Sequence, residues 1–518
     1  MRSTFAGLSI ASSGLFAAQR ALDITGHNIS NTNTRGYTRQ RLNQSAQDPM
    51  NIQGGQGQLG LGVKMQFISQ VRDEMLDIKY RQEVNTLGEW EEKYNSLTQV
   101  ESIFNEPSET GIRKVVDGFF EGINSLTKDP SNPTNRSVFL QKAIGLAQNF
   151  NDMYSRFEKM VVDSNEEVEA SVRAINSMAT QIAKLNRQIL ESELDGSRAN
   201  DLRDARNLLV DDLSKLVDLE VKNVPINNGK SSTLTILIQG TPLVNHVDTN
   251  VLELETGMDH PMFTDGQDIQ PVSSRKDLEN IKVSNIKWAS GSTLVQEKLG
   301  GAIGGQLQQR DGYKDETKGA PYYVRFLSEF ANTFAQALND IHDDGYSLNG
   351  AAASGLPLFT TKNGSTNFIS ASELKVNQAL LDDPTKLSLG LGDGAPDNNK
   401  NAIAMLNLRS KKDFEIRLTY DTSGAQIVLG EGTPEDVLKT MIASLGVDAQ
   451  EAKRMFNNQQ YLTEEVDSFR LSVSGVSQDE EMSNMIKFQH AYNAAARMIT
   501  TVDEMIDVII NRMGRVGL

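Results

Sequence analysis

The chain has 518 residues, a formal net charge of −17 and no cysteine. This length suffices for about two to four domains with buried cores, while the lack of cysteine excludes disulfides, thiol catalysis and cysteine metal sites. The acidic balance and the lack of a dense Lys/Arg tract argue against nucleic acid as the main partner.

Neither a membrane span nor a cleaved leader is expected. No apolar window approaches the length of a transmembrane helix, so we expect no membrane insertion. The N-terminus is rich in Ser, Ala and Gly and lacks the continuous apolar core of a cleavable secretory signal.

Residues 1–30 predict a helix with one narrow apolar stripe. The stripe residues recur at alternating spacings of three and four, which is typical of a coiled-coil seam. They are Leu8, Ala11, Leu15, Ala18, Leu22, Thr25 and Ile29. The helix is expected to end at Ser30, because the run 31–36 is rich in turn-forming residues.

A polar segment leads to about residue 62 and contains a formal match to the dinucleotide-binding fingerprint at Gly55, Gly57 and Gly60. That fingerprint requires a strand before the glycines and a helix after them. Residues 63–71 alternate like a strand instead, so we interpret the glycines as loop and turn positions.

Four helices are predicted next, over 72–106, 111–127, 135–193 and 199–216. The third is free of proline and long enough to form a helical rod. Its apolar seam is Phe139, Ala143, Leu146, Phe150, Met153, Phe157 and Met160, continued by Val168, Val172, Ile175, Ala179, Ile182, Leu185 and Ile189.

Residues 221–295 change character and predict a β-rich insertion of short strands between turns. The glycines at 300, 301, 304 and 305 are interpreted as its exit. A helical pattern returns over 327–341. A loop-rich stretch follows with short strands predicted at 368–370 and 373–376, then a β-hairpin over 414–429 and two helices over 434–445 and 449–471.

The last helix, predicted over 476–513, carries a second narrow seam. Ser477 and Glu480 form a capping-box pattern at its start. The seam residues are Met485, Phe488, Tyr492, Ala495, Ile499, Val502, Ile506, Ile509 and Met513. A stripe of this length requires a partner helix to exclude water from it.

The two ends of the chain are expected to pair with each other. Residues 1–45 hold five arginines and one aspartate, a formal charge of +4, whereas residues 476–518 hold four basic and six acidic residues, a formal charge of −2. Opposite charge favours pairing and fixes register. The alternative is that each stripe packs separately on a globular core.

These patterns predict a mainly α fold with β-rich insertions and a nested, multi-domain order. The expected domains are a terminal coiled-coil domain (1–62 with 472–518), a helical rod domain (63–220 with 296–350 and 430–471), a β-rich insertion domain (221–295), and a loop and hairpin segment (351–429) packed on the rod or on the outer domain.

The sequence contains little that points to catalytic chemistry. The five histidines show no helical metal-binding spacing, and no nucleophile elbow, P-loop or SxxK motif occurs. His342, Asp343 and Asp344 resemble a metal-ligand cluster in composition, and Asp393, Asp397, Asn398 and Asn399 are calcium-ligand types. Solvated loops explain both sets, so we expect no catalytic residue, cofactor or metal.

Two motifs at the ends resemble a known family. The segment HNISNTNTRGYTRQ, residues 27–40, is similar to the N-terminal signature of bacterial flagellar rod, hook and hook-associated axial proteins. Residues 474–507 resemble the C-terminal signature of the same group. The residues that carry the two motifs are Asn28, Asn31, Thr34, Gly36, Tyr37, Arg39, Asp479, Glu480, Glu481, Gln489, Tyr492 and Arg497.

The resemblance implies a structural, extracellular subunit of the flagellum at the hook–filament junction, exported unfolded without a cleaved signal. It implies contacts with further copies of the chain, with hook protein and with the second hook-associated protein. A FlgN-type export chaperone on the C-terminal segment and the type III export apparatus are further implied partners. The expected subunit interface consists of the two seams above, without Thr25.

Three alternatives follow from the residues. The first is another flagellar axial protein: hook, rod or the second hook-associated protein. The second is an extracellular metal-dependent enzyme on a flagellar scaffold, which would use the cluster at His342. The third is a peripheral membrane protein, which the narrow stripes without Lys-rich faces disfavour.

Overall fold

The structure is a computed structural model that describes residues 6–51, 58–105, 108, 111–194, 196–226, 231–259, 281–314, 317–352, 355–391, 397–419 and 426–512. Helices dominate it, which confirms the predicted mainly α class with β insertions. They are α1 (Ala6–Ser30), α2 (Glu74–Phe104), α3 (Ile112–Lys128), α4 (Pro133–Ser192), α5 (Asn200–Leu216), α6 (Gly301–Asp311), α7 (Ala320–Asp343), α8 (Gln378–Asp382), α9 (Lys400–Asn407), α10 (Pro434–Ser474) and α11 (Gln478–Asp507), which a π-helical turn (Val508–Arg512) extends. Across these ranges, no helix combines the length and apolarity needed to cross a membrane.

The strands form small antiparallel sheets. They are β1 (Gln40–Ala46), β2 (Met50–Asn51), β3 (Gln58–Leu59), β4 (Val63–Gln70), β5 (Glu220–Ile226), β6 (Ser231–Ile238), β7 (Thr241–Asn245), β8 (Asp248–Thr249), β9 (Leu252–Asp259), β10 (Lys282–Trp288), β11 (Tyr313–Lys314), β12 (Thr317–Lys318), β13 (Phe359–Thr360), β14 (Lys375–Val376), β15 (Phe414–Thr419) and β16 (Gln426–Gly432). Strands β5 to β8 form a four-stranded meander, and the others pair in twos.

The chain divides into two compact units. The terminal unit comprises residues 1–85, 175–251 and 460–518, and the central unit comprises 86–174 and 252–459. The finer four-part division expected from the sequence stays a prediction.

The central unit is built around an aromatic core. Its residues on α4 follow the predicted seam, and Phe139, Phe150 and Phe157 are fully buried. The Phe150 ring stacks on Phe330 of α7 at a centroid distance of 5.7 Å. Burying one such side chain stabilises the fold by about 1.5–3 kcal/mol. The apolar seam predicted on α4 is therefore part of the hydrophobic core.

The terminal unit packs α1 against α11 and against the β1–β4 hairpin. The side chains of Ala17, Ala21 and Ile24 are buried in addition to the predicted seam. This second stripe on α1 was not predicted, because two adjacent stripes of mostly small residues look like one ordinary amphipathic face.

Helix α10 corrects one prediction. Residues 434–474 form one helix where two were predicted. A continuous stripe of Val437, Met441, Leu445, Ala449 and Ala452 is buried along it, so core packing carries the helix through Gly446. Glycine weakens a helix by only about 1 kcal/mol, which this burial offsets.

The glycines predicted to mark the exit of the β-rich insertion lie at the start of α6. Gly300 and Gly301 adopt positive φ angles of 61° and 60°, which favours glycine. Gly305 lies within α6, where an added Cβ would approach Glu92 Cβ of α2 to 2.6 Å. The glycine therefore allows close helix packing.

The short strand predicted at 368–370 is also wrong. Residues Phe368 and Ile369 are buried in the core without strand pairing, and the Ile369 N–H donates to Asn332 Oδ1 at 3.0 Å. The ladder here is β13–β14, where Phe359 pairs with Val376. A short apolar run signalled burial and not a strand.

Candidate subunit interface

Helices α1 and α11 pair in an antiparallel arrangement. Asn28 contacts Glu481, and a Cβ added to Gly7 would lie 3.7 Å from Val502 Cγ2. Since these two contacts are equally far apart along each helix, the register is constant between them. This confirms the predicted pairing of the chain ends.

The predicted seams lie on the paired faces. On α11 the half-buried residues are Met485, Phe488, Tyr492, Ala495, Ile499, Val502 and Ile506, and on α1 Leu8, Leu15, Leu22 and Ile29 are half-buried while Ala11, Ala18 and Thr25 are buried. Met513 and the Ile509 side chain lie outside the described residues. Whether these residues also contact other copies of the chain stays a prediction.

Asn28 lies at the centre of the contact between the chain ends. Its side chain is 1% exposed. The Nδ2 group donates to the Gln40 carbonyl at 2.9 Å and to Glu481 Oε2 at 3.1 Å. The Oδ1 atom accepts from the Gln40 N–H at 3.0 Å and from the Tyr37 hydroxyl at 2.8 Å. All four hydrogen-bonding positions of this buried amide are therefore used.

Arg39 joins the loop after α1 to the start of α11. Its two terminal nitrogens donate to the carboxylate of Glu480 at 3.0 and 2.9 Å, and Nε lies 3.1 Å from Glu481 Oε1. The Glu481 side chain is 4% exposed, so Arg39 and Asn28 compensate a buried charge. Ser477 caps α11 by accepting from the Glu480 N–H at 3.5 Å, while the Glu480 carboxylate binds Arg39.

Helix α5 holds the other side of the same loop. The Thr38 N–H and hydroxyl donate to the Asp204 carboxylate at 2.9 and 2.6 Å. Gln40 Nε2 donates to Asp201 Oδ1 at 2.7 Å. Burial raises the pKa of Asp204 to about 6, although the hydrogen bonds from Thr38 and the charge of Arg72 oppose the shift.

These residues of α5 were not predicted from the sequence. A signal was present, because Asn200, Asp204 and Asp211 recur at helical spacing and all three are buried. A polar stripe on a helix usually indicates a solvent-exposed face. The pattern therefore did not predict buried contacts before the fold was known.

The other N-terminal motif residues shape the loop. Tyr37 is half-buried, and burial followed by the charge of Asp201 raises its pKa well above the ordinary value, which keeps the hydroxyl protonated as a donor. Gly36 has φ +80°, and an added Cβ would lie 3.2 Å from Leu208. Thr34 Oγ1 donates to Asn31 Oδ1 at 3.2 Å. These residues therefore form the turn that presents Asn28 and Arg39.

The C-terminal motif residues divide between the contact and the surface. Glu480 and Glu481 hold Arg39, and Tyr492 lies in the seam. Asp479, Gln489 and Arg497 are exposed. We call the contact formed by Asn28, Tyr37, Arg39, Glu480 and Glu481 the terminal latch.

Several large apolar side chains of α1 and α11 are exposed outside the seam. We call this set the outer face: Phe16, Met482, Ile486, Met498, Met505, Val508 and Ile510. Exposed apolar surface marks protein–protein contact sites when it exceeds a few scattered side chains.

The set at His342, which was expected to lie in a solvated loop, instead contains a buried histidine. His342 is buried and its Nε2 accepts from the Ser388 N–H at 3.1 Å, while Asp343 Oδ1 accepts from the Gly355 N–H at 2.9 Å. Asn399 Nδ2 donates to the Thr127 carbonyl, and Asp393 lies outside the described residues. In the part of the chain that the structure covers, no three His, Asp or Glu side chains form a metal-holding group.

His342 predicts acid sensitivity of the fold. Burial lowers its pKa to about 4, whereas in the unfolded chain it stays near about 6.5. Between these values the unfolded chain binds more protons, so the free energy of unfolding falls as the pH drops, by at most about 3 kcal/mol. The variant His342→Gln should lack this component in urea unfolding between pH 7 and pH 4. Parallel pH curves for the two proteins would contradict the assignment.

Comparison with known families matches three parts of the chain. Residues 97–359 match the family described as the flagellar hook-associated protein FlgK helical domain. Residues 468–513 match the C-terminal family of flagellar basal body rod FlgEFG proteins, and residues 8–38 match the flagella basal body rod protein family. The two rod-type matches include most of the paired helices and every latch residue except Arg39.

Comparison with individual proteins extends over the whole chain. The chain is 32% identical over 526 residues to flagellar hook-associated protein 1 of Bacillus subtilis, covering 99% of both chains. It is 25% identical to the protein of the same name from Salmonella typhimurium, covering 97% and 98%. The flagellar hook junction protein FlgK of Burkholderia pseudomallei has a similar fold, with a TM-score of 0.54 and 14% identity over 78% of this chain and 100% of that one.

Proposed function

This chain belongs to the family of flagellar hook-associated protein 1, and from that premise we propose that its paired terminal helices are the surface through which copies of it polymerise. The family membership confirms the resemblance seen in the end motifs. The chain is a structural component of the bacterial flagellum, at the hook–filament junction.

The outer face carries this proposal. Met498 and Met505 are each more than half exposed on α11, whose seam is already covered by α1. A helix pair that keeps large apolar side chains exposed outside its seam does not bury its apolar surface within one chain. Repeated head-to-tail contact between such surfaces generates a ring where the rotation closes and a helical layer where it does not.

The proteins on either side of that layer are inferred from the family to which the chain belongs. We infer that the chain lies between hook protein and the second hook-associated protein, outside the cell, and that it has no catalytic activity. A FlgN-type chaperone would cover the C-terminal helix in the cytoplasm before type III export. Exposed apolar seams on an unfolded chain promote aggregation, and a chain without cysteine forms no disulfides outside the cell.

The outer face can be tested without disturbing the seam. Ile486 and Met498 are each 57% exposed, so the double variant Ile486→Glu, Met498→Glu should fold normally. If both side chains are buried between subunits, the loss of about 1.5–3 kcal/mol each should reduce firmly attached filaments by at least about tenfold.

The measurement is a count of attached filaments in cells that carry only the variant, alongside the melting temperature of the purified chain. Ser483→Glu, an exposed polar position on the same helix, serves as the matched control. Normal filament attachment in the double variant would refute the proposed polymerisation surface.

A further inference from the structure

Arginines dominate the wall of one cavity in the terminal unit. The cavity has a volume of about 600 Å³. Its charged lining residues are Arg72, Arg81, Arg198, Arg203 and Arg206, with Glu74 and Asp77 as the carboxylates. They come from α2, from α5 and the segment before it, and from the residue pair that follows β4, while β5 and β6 complete the wall.

Three of the arginines are neutralised by ion pairs. Arg81 Nε lies 2.7 Å from Asp211. Arg203 forms a two-point contact with Glu193 at 2.8 Å. Asp77 accepts from Arg72 at 2.5 and 3.0 Å. The carboxylates of Asp211 and Glu193 do not line the cavity, so the charges that face it are mainly positive.

Arg206 is not neutralised in this way. Its side chain is 3% exposed, and its Nη1 donates to the neutral amide oxygen of Asn186 at 2.9 Å. Among the described residues, its Nε has no hydrogen-bond partner. Burial, followed by the charge of Arg203, lowers the pKa of Arg206 to about 9. Burying a cation without a contacting anion is costly.

Arg198 is the second arginine of the cavity wall that makes no carboxylate contact with the described residues. Its guanidinium lies 4.4 Å from the centroid of the Phe67 ring, a cation–π contact that leaves its hydrogen-bond donors available. The side chain is exposed. A buried guanidinium and an accessible one therefore line the same cavity.

We propose that this cavity binds an oxyanion, the chemistry shared by inorganic phosphate and by a carboxylate side chain of a second copy of this chain. Guanidinium groups recognise both through charge-assisted hydrogen bonds, and a partly enclosed site strengthens them. A chain with a net charge of −17 supplies carboxylates in abundance wherever copies meet. The volume accommodates a peptide segment as well as an ion.

Isothermal titration of the purified, monomeric full-length chain with inorganic phosphate tests this proposal. The reference titration uses sodium chloride at matched ionic strength. We expect saturable binding at one site, weakened at least tenfold in Arg206→Gln and severalfold in Arg198→Gln. The matched control is Arg187→Gln, an exposed arginine of the same unit outside the cavity lining, which should bind phosphate like the wild type.

Because Arg198 is exposed, Arg198→Gln should fold normally. The experiment therefore remains decisive even if Arg206→Gln does not fold. Phosphate binding no stronger than the chloride reference, or equal binding by Arg198→Gln and Arg187→Gln, would overturn the proposal. A polymerisation assay with and without phosphate then identifies the source of the anion. Phosphate that inhibits polymerisation of the wild type indicates a carboxylate of a second copy, whereas phosphate binding without an effect on assembly indicates a free ion. The titration uses the monomer, so its result is independent of the proposed polymerisation.

Discussion

Replacing Asn28 with alanine is expected to lower the free energy of unfolding of the terminal unit by about 3–5 kcal/mol. The change removes four hydrogen bonds at a side chain that is 1% exposed. It leaves the backbone N–H and carbonyl of Gln40 without their partner, and each unsatisfied buried group costs about 1–3 kcal/mol. Glu481 would keep Arg39 but lose a donor at a nearly buried carboxylate.

Asn33→Ala is the matched control, because Asn33 is in the same motif but exposed. Urea unfolding gives the free energies, and hydrogen exchange of the amides of α1 and α11 shows whether the loss is confined to the terminal helices. Equal destabilisation by the two variants would show that Asn28 does not hold the chain ends together.

A second substitution separates hydrogen bonding from packing. Asn28→Asp keeps the shape of the side chain but replaces the donor to Glu481 by an acceptor. Two carboxylates at this distance repel each other, and one of them takes up a proton more readily. We expect Asn28→Asp to be less stable than wild type at pH 7 and to recover part of the difference as the pH falls towards 5. A pH-independent difference would exclude carboxylate repulsion.

The latch explains why short polar motifs accompany the long seams. Seam contacts in antiparallel coiled coils tolerate shifts by a heptad, since the same apolar pattern recurs. A buried, fully hydrogen-bonded amide and an arginine bound to two adjacent glutamates fit one register. The contacts of Asn28 with Glu481 and of Arg39 with Glu480 therefore select the register, and the apolar seam supplies the burial.

The sequence predicted the elements better than their contacts. A heptad period runs from Phe139 to Met160 and from Met485 to Ile506. Such a period is a local property of the sequence, so it can be recognised before the fold is known. The partner helix of α11 could also be predicted, because the two ends of the chain carry matching seams and opposite net charge. Antiparallel orientation was not predicted, since a periodic stripe does not encode direction.

The rest of the site depends on residues that are distant in sequence. Thr38 meets Asp204 and Gln40 meets Asp201, and neither pair has a local signature. Likewise, the sequence does not show that Arg206 lines a cavity, because β6 and α2, which form other parts of the cavity wall, are distant from it in sequence. Polar residues on helices are read as solvated by default, and only tertiary contacts identify the buried ones.

Deleting residues 480–518 is expected to abolish filament attachment completely while hooks still form. The deletion removes Glu480, Glu481 and the whole seam of α11, which leaves Leu8, Leu15 and Leu22 of α1 without their covering helix. It also removes most of the outer face. The measurement is electron microscopy of cells that carry only the truncated chain, with hooks and attached filaments counted separately. Firmly attached filaments on these cells would contradict the role given to the terminal helices.

Loss of export would mimic this result, so a full-length variant is needed beside the deletion. Phe488→Asp with Ile499→Asp places two charges in the seam and keeps the chain length and the latch. Because the proposed chaperone covers this helix, the amount of the double variant in the culture medium is measured as well. The variant that reaches the medium should still fail to anchor filaments. Burying an unpaired carboxylate costs several kcal/mol, which is enough to separate α1 from α11. Normal anchoring by the exported double variant would show that the helices act independently of their pairing.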